Sequence, residues 1–308
     1  MRVDILLSTY NGEAYLDGLI KSIINQDYHD FRLLIRDDAS TDSTTNIIKK
    51  YKLKYPNKID LIDTSLDNLG ASKSFSLLAA YSKSNYIMFC DQDDIWMKNK
   101  LRLTLNKMQE SENNNSNRPI LIHSDLTVVN QDLHILSKSF WSFQKINPNR
   151  NNISQLLVQN VVTGCTIMIN KKLLELILPF PDGIVMHDWW VALVASVFGC
   201  IDFLPSPTIF YRQHNQNSIG ASKYGFNKWF DRLLSIDLRK RESALIINQA
   251  QIFYKRYEKS LPLKEKLILE KFIEIVAYNP LIRGGGLYRN NYTKNGFVRQ
   301  IIDIILPL

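Results

Sequence analysis

The chain has 308 residues, 45% of them hydrophobic and 22% charged, with a net charge of +8. This is the balance of an ordinary soluble globular protein, long enough for one large α/β domain with an appendage or for two domains. No uninterrupted apolar run approaches the ~20 residues that a spanning helix requires, so a membrane-spanning chain is excluded. The positive charge favours anionic partners such as nucleotides, diphosphates or an acidic membrane surface. No zinc-finger spacing or RNA-binding signature accompanies it, which argues against nucleic acid. Cys90, Cys165 and Cys200 each lie in an apolar run and read as reduced core residues of a cytoplasmic protein. The chain opens directly on a strand, with no secretion signal expected.

Val3 to Ser8 is a nearly continuous apolar run, as expected of a central parallel strand, and Thr9-Tyr10-Asn11-Gly12 makes a polar turn after it. Leu16, Leu19, Ile20, Ile23 and Ile24 recur at helical spacing. Phe31 to Arg36 is a second strand ending in Asp37-Asp38-Ala39-Ser40, and Ile47, Ile48 and Tyr51 continue as a helix closed by Pro56. Ile59 to Ile62 reads as a third strand leading to Asp67-Asn68-Leu69-Gly70, with a helix through Phe75, Leu78 and Ala79 behind it. Lys73, at the start of that helix, has two readings, a phosphate contact or a solvated lysine. Tyr86 to Cys90 is a buried strand running into Asp91-Gln92-Asp93-Asp94, three carboxylates within four positions. Asp91 and Asp93, two apart, share a side on an extended strand end and could hold one divalent metal, magnesium or manganese. A solvated acidic turn capping the next helix through Asp93 or Asp94 fits the same residues.

This alternation of strand and helix predicts a doubly wound, mainly parallel sheet, in which ligands bind beyond the carboxyl ends of the strands. The Thr9, Asp37 and Asp91 clusters converge there. Neither a Gly-x-Gly-x-x-Gly fingerprint nor a Walker loop is present, so a nucleotide site would be of another kind. Ile120 to Asp125 reads as a further strand, and Asn113 to Asn117 and Lys145 to Asn152 as exposed loops. Ile153 to Val158 starts a helix, and Val161 to Ile169 reads as a strand containing Gly164. That glycine marks either a ligand's close approach or a packing contact. Met186-His187-Asp188-Trp189-Trp190 opens an apolar helix running to about Phe198, capped by Gly199. Asp188 is there either a dipole-favoured cap or a carboxylate tuned by apolar neighbours into a general base. Tyr211 to Ser218 is dense in cationic and amide groups, with His214 an exposed imidazole on the blandest view. From about Asn227 the chain is basic, helical and amphipathic, with Arg283-Gly284-Gly285-Gly286 as a flexible joint and an amphipathic tail from Phe297 to Leu306. Such helices either lie on an anionic membrane or pack on the main domain or a second subunit.

Ser8-Thr9-Tyr10-Asn11, Arg36-Asp37-Asp38-Ala39-Ser40 and Asp91-Gln92-Asp93-Asp94-Ile95-Trp96, in this order and spacing, resemble the GT-A glycosyltransferases of family 2. Thr163-Gly164-Cys165, His187-Asp188-Trp189-Trp190 and Tyr211-Arg212-Gln213-His214 look most like the bacterial α-L-rhamnosyltransferases of rhamnose-rich cell-wall polysaccharides. The resemblance covers roughly residues 1 to 220. It implies a Rossmann-like GT-A domain over 1–222; the basic amphipathic helices beyond it are expected to form a C-terminal region over 223–308 that contacts membrane or a second copy in a homodimer. It implies an inverting, Mg2+- or Mn2+-dependent transfer from a dTDP- or UDP-linked sugar, foremost dTDP-rhamnose, to a lipid-linked saccharide. The enzyme would then be cytoplasmic and peripheral on the inner face of the cell membrane.

Residue by residue, the resemblance has Thr9 and Tyr10 flank the nucleobase, with Asn11 beside them, and Asp38 accept the base imide N–H. Asn68, Lys73 and Gln92 join the donor site, Asp91 lies by the ribose, and Asp93 binds the metal, with Asp91 and His214 as further ligands. Arg212 holds the diphosphate, Asp188 is the base, and Thr163, Gly164, His187, Trp189 and Trp190 form the acceptor or sugar pocket. The Gln-x-x-Arg-Trp motif of processive members is absent, which favours transfer of one or a few sugars. Two other classes remain: a nucleotidyltransferase, which would release pyrophosphate, and a glycan-binding module without metal-dependent nucleotide affinity.

Overall fold

The computed structural model describes residues 2–62, 67–214, 236–277 and 280–296. Its first strand, β1 (Val3–Thr9), lies between β2 (Phe31–Asp37) and β4 (Tyr86–Cys90), parallel to both. Beyond β2 runs β3 (Ile59–Leu61), also parallel. On the other side, β4 pairs antiparallel with β9 (Met168–Asn170), which pairs antiparallel with β6 (Ile120–Ser124), and β10 (Cys200–Leu204) closes the edge parallel to β6. The seven strands follow the order β10-β6-β9-β4-β1-β2-β3. The chain therefore winds outward from β1 through β2 and β3, then returns to the opposite flank at β4. The crevice between β1 and β4 is the point where the winding reverses, the place where open α/β sheets hold ligands.

Alternate side chains feed two cores. Ile5 and Leu7 pack with Leu16, Leu19, Ile20 and Ile23 of α1 (Leu16–Ile24), while Leu6 and Phe89 face Phe75 and Leu78 of α3 (Ala71–Tyr81). The second core continues into α8 (His187–Phe198), whose residues Trp190 to Ala195 are all buried. Over them lie α9 (Ile236–Tyr257) and α10 (Leu263–Val276), contributing Phe253, Leu269, Phe272 and Ile275. The apolar faces of these C-terminal helices are thus turned onto the chain's own sheet domain. The expected boundary at 222/223, the start of the helical region at Asn227, Asn215 to Ser218 and the tail from Phe297 lie outside the described residues.

Several local expectations change. Gly164 does not sit in a strand, because Gly164–Thr166 form a single 3-10 turn before β9. The helix behind the acidic cluster does not start at once. A two-residue strand, β5 (Ile95–Trp96), intervenes, and α4 (Lys100–Asn114) begins later with Asn99 ahead of it, so neither Asp93 nor Asp94 caps it. Arg283 to Gly286 is no joint but the middle of α11 (Pro280–Arg289), and a Cβ on Gly286 would come within 3.0 Å of Ile275 Cγ2. Glycine there serves close helix packing rather than flexibility. Cys200 is only half-buried, unlike Cys90 and Cys165.

A second, four-stranded sheet in the order β5-β11-β7-β8 brings in β7 (Thr127–Asn130), β8 (Ile135–Ser137) and β11 (Ile209–Gln213). Pairing of Phe210 with Ile95 carries Arg212 and His214 onto the acidic cluster, more than a hundred residues upstream.

Candidate active site

Three loops meet at the carboxyl ends of β1, β2 and β4. Thr9 donates its hydroxyl to Asp37 (2.8 Å), and the same carboxylate receives the Ser40 N–H. Asn11 accepts the Thr41 N–H while its own N–H goes to Ser40 Oγ, so Asn11 ties the β1 loop to the β2 loop. Tyr10, between them, leaves its ring half exposed at the mouth of the crevice. Gln92 clasps the Tyr10 backbone from across the β1–β4 crevice, accepting its N–H at 2.8 Å and donating to its carbonyl at 2.9 Å. A Cβ on Gly12 would strike Gln92 Oε1 at 2.5 Å, so only glycine admits this clasp. Gln92, expected to touch the nucleotide, instead has its amide committed to Tyr10.

Asp38 is buried and held from three sides. Arg36, itself fully buried, pairs with it through a short ion pair, and the N–H groups of Leu69 and Gly70 donate to it at 2.8 Å each. Burial alone would raise Asp38, but the Leu69 amide, Arg36 and the Gly70 amide outweigh it and hold it below the usual carboxylate range. Asn68 donates to the Asp38 carbonyl, fixing the same corner. Lys73 lies in an exposed ion pair with Asp182 (2.9 Å), a solvated position rather than a phosphate contact.

The acidic cluster faces the second sheet. His214 Nε2 and Asp93 Oδ2 are 2.8 Å apart, and Arg212 donates from Nε to the Asp93 carbonyl (2.9 Å) and from its backbone N–H to Asp94 (3.2 Å). Tyr15 underlies both side chains, its ring 4.7 Å from the Arg212 guanidinium and 4.7 Å from the His214 ring. Asp91 is pushed up to about 7 by burial first, then by the charges of Asp93 and Asp188. Asp94 is raised by burial, Asp93 and Asp91. Three facing carboxylates whose repulsion shows in this way, with an imidazole alongside, suit a divalent cation with hard-ligand preference. Of the expected ligands Asp93, Asp91 and His214, Asp93 and His214 meet directly. Asp91, Asp94 and Cys165 also bring one ligand atom each within 4.8 Å of one another, a group able to hold a metal ion. Burial, then Asp94 and Asp91, push the Cys165 thiol up, so it stays protonated and hydrogen-bonds to the acids beneath the cluster.

Asp188 lies in the first turn of α8. Its carboxylate receives the Trp189 N–H at 2.7 Å, and the nearby Gly164 N–H and Asn160 side chain also favour its charged form. Burial nonetheless pushes it up to about 6. A Cβ on Gly164 would lie a tight 3.1 Å from His187 Nε2, so the buried ring would have to give way, and at an ordinary 3.5 Å from Asp188 Cβ. Thr163 turns the chain into the 3-10 turn, its carbonyl accepting from the Thr166 N–H and hydroxyl. Trp189 is half-buried and donates its indole N–H to the Leu156 carbonyl. His187 is buried between Phe75 and Phe89, and burial holds its imidazole neutral, down to about 3. Trp190 is not a pocket residue: it is fully buried, packed against Phe253 and Tyr257 of α9. Asn160, Tyr15 and Lys100 were not singled out in the sequence; Tyr15, five positions beyond Tyr10 in the first loop, was the one with a signal.

Residues 4–177 match the model of glycosyl transferase family 2. The chain belongs to that family. Among curated relatives, the dTDP-rhamnosyl transferase RfbG of Shigella flexneri is 29% identical over 70% of this chain and 74% of its own. The UDP-Glc:α-D-GlcNAc-diphosphoundecaprenol β-1,3-glucosyltransferase WfgD of Escherichia coli is 29% identical over 72% of this chain and 81% of its own. Among solved structures, a mannosyltransferase from Pyrobaculum calidifontis in complex with GDP-Man and Mn2+ is similar at a TM-score of 0.54, with 17% identity, over 94% of this chain and 72% of that one. The glycosyltransferase has the GT-A fold, a mainly parallel sheet flanked by helices with a helical C-terminal region.

Proposed function

We propose that this family 2 glycosyltransferase moves one sugar, L-rhamnose from dTDP-β-L-rhamnose, to a hydroxyl of a lipid-linked saccharide, with inversion, in cell-wall or capsular polysaccharide synthesis. The observation that carries the reading is that one turn joins Asp188 to the acidic cluster, Gly164 lying against Asp188 and Cys165 within 4.8 Å of Asp91 and Asp94. A base on one side and an anion-holding group on the other is what a single in-line displacement requires. Asp188 takes the proton of the acceptor hydroxyl, the acceptor oxygen bonds to the anomeric carbon, and the bond from that carbon to the diphosphate breaks with its electron pair leaving on the nucleotide. Asp93, His214 and Asp91 would hold a Mg2+ or Mn2+ ion, which would supply Lewis-acid stabilisation of the leaving diphosphate. Tyr10 stacks on the base, and Asp38, whose fixed carboxylate is an acceptor only, suits the imide N–H of thymine or uracil.

The dTDP-rhamnose donor is supported by the likeness to RfbG, and the lipid-linked acceptor by the name of WfgD. A UDP-hexose donor is the second reading, favoured by equal identity to WfgD. No helix among the described residues is long and apolar enough to cross a membrane. Contact with a lipid-linked acceptor would then be peripheral, on the inner membrane face, with the +8 charge favouring anionic lipid. A homodimer through the C-terminal helices would have to use their outer faces. The donor is tested by thermal shift with nucleotide sugars and Mn2+. A donor at a hundred times its dissociation constant adds about 2.7 kcal/mol of stability. The largest shift is expected with dTDP-rhamnose; a flat response beside a clear shift with a UDP-hexose moves the assignment to the second reading.

A further inference from the structure

Lys100 stands at the first position of α4 and is fully buried. A cation there is disfavoured twice, by loss of water and by the positive end of the helix dipole. No ion pair to it is formed among the described residues. Its ammonium instead donates to the Cys165 carbonyl at 3.2 Å, reaches Thr208 Oγ1 at 3.5 Å and lies 4.6 Å from the centre of the Trp96 ring. These partners come from three separate segments of the site. Trp96 follows the acidic cluster in β5, Thr208 immediately precedes β11, which carries Arg212, and Cys165 is the middle residue of the Gly164–Thr166 turn.

That turn is also held by the Thr166 hydroxyl on the Thr163 carbonyl and by the Phe89 N–H on the Ile167 carbonyl, but Lys100 is the side chain that takes the Cys165 carbonyl. The turn's own closing bonds are Thr166 N–H and Ile167 N–H to the carbonyls of Thr163 and Gly164. The Cys165 carbonyl accepts from the buried ammonium instead. Gly164 packs against Asp188, where a Cβ on it would lie 3.5 Å from Asp188 Cβ, and its N–H helps to hold the pKa of the Asp188 carboxylate down. One peptide segment thus touches both the lysine and Asp188.

We propose that Lys100 is a positioning residue for the transfer reaction: by holding the Cys165 carbonyl it fixes the turn whose Gly164 amide aims the Asp188 carboxylate. The inference rests on the reading of Asp188 as the base. Lys100 touches neither donor nor acceptor, so its removal acts on the chemical step and leaves donor binding intact. Misplacing a reacting group by an ångström costs on the order of a hundredfold in rate.

The test compares Lys100→Met, Lys100→Arg and Asp188→Asn in the full chain, measuring melting temperature, the dissociation constant for the nucleoside diphosphate with Mn2+, and kcat and KM for the donor. Lys100→Met fills the same volume without a donor, and its kcat is expected to fall on the order of tenfold to a hundredfold. Its nucleotide affinity and donor KM should stay within about twofold of wild type. Lys100→Arg, which can still donate, is expected to recover most of kcat even though its extra bulk lowers the melting temperature. A Lys100→Met enzyme with wild-type kcat, beside an inactive Asp188→Asn, overturns the role of Lys100 alone. An active Asp188→Asn overturns the base reading on which it stands. Equal loss of kcat in the Met and Arg variants, or loss of nucleotide affinity together with kcat, would make Lys100 a packing residue and contradict the proposal. Should Lys100→Met not fold, the Arg variant decides: retained kcat supports the role, and a hundredfold loss at intact fold overturns it.

Discussion

Asp188 combines the Trp189 N–H, and the nearby Gly164 and Asn160 donors, with a carboxylate raised by burial to about 6. The donors favour the charged form and burial opposes it, so the group sits where a base is useful near neutrality. Only the deprotonated form can accept the acceptor's proton. The rate should therefore rise as pH increases through about 6 and level off above it, with any cation beside Asp91 moving that limb lower. A kcat/KM profile from pH 5 to 8 checks this; a rate that falls across the same interval would point to a group acting as an acid. Tyr10 is the second residue with a single-site consequence. Its ring is half exposed and its backbone is clasped by Gln92, so replacement by alanine removes the stacking face without disturbing the loop. Donor affinity should weaken by about 1–3 kcal/mol, read by calorimetry, with the melting temperature of the free enzyme nearly unchanged.

At the level of elements, the strands and helices of the first hundred residues were legible because each signal was local. Unbroken apolar runs mark β1 and β4, and the 3.6-residue stripe marks α1. The acidic cluster's neighbours were not legible in the same way. His214 meets Asp93 only because β11 pairs with β5, a contact spanning 121 positions, and no local pattern encodes it. The Gly164 turn read as a strand because valine, isoleucine and methionine surround it; tertiary contacts with His187 and Lys100 set its course instead. The three-glycine run read as a joint because sequence cannot distinguish glycine kept for freedom from glycine kept for close packing. Gly199 makes that distinction testable. A Cβ there would meet the Pro119 carbonyl oxygen at 2.1 Å, an atom already bonded to the Cys200 N–H. Gly199→Ala should shift the edge strand β10 and cost about 1–3 kcal/mol, measured by denaturant unfolding.

For the whole molecule, α8 joins function to stability. Its first turn carries Asp188, while the residues behind it fill the space between the sheet and the C-terminal helices. Trp190, the largest fully buried side chain there, touches Phe253 and Tyr257. Trp190→Ala should cost about 3–5 kcal/mol and loosen the C-terminal helices together with the base, so that stability and turnover fall in parallel. Asp188→Asn should separate them, with stability kept and turnover lost.

The central claim is that one cleft binds the donor through the Asp91–Asp93–His214 group and activates the acceptor through Asp188. Its most direct measurement is nucleoside diphosphate release from dTDP-β-L-rhamnose with Mn2+ and a lipid-linked saccharide, for wild type and for Asp188→Asn of equal fold and donor affinity. The account predicts metal-dependent release by wild type and a loss on the order of 10²- to 10⁴-fold in the variant. Undiminished release by Asp188→Asn would contradict it.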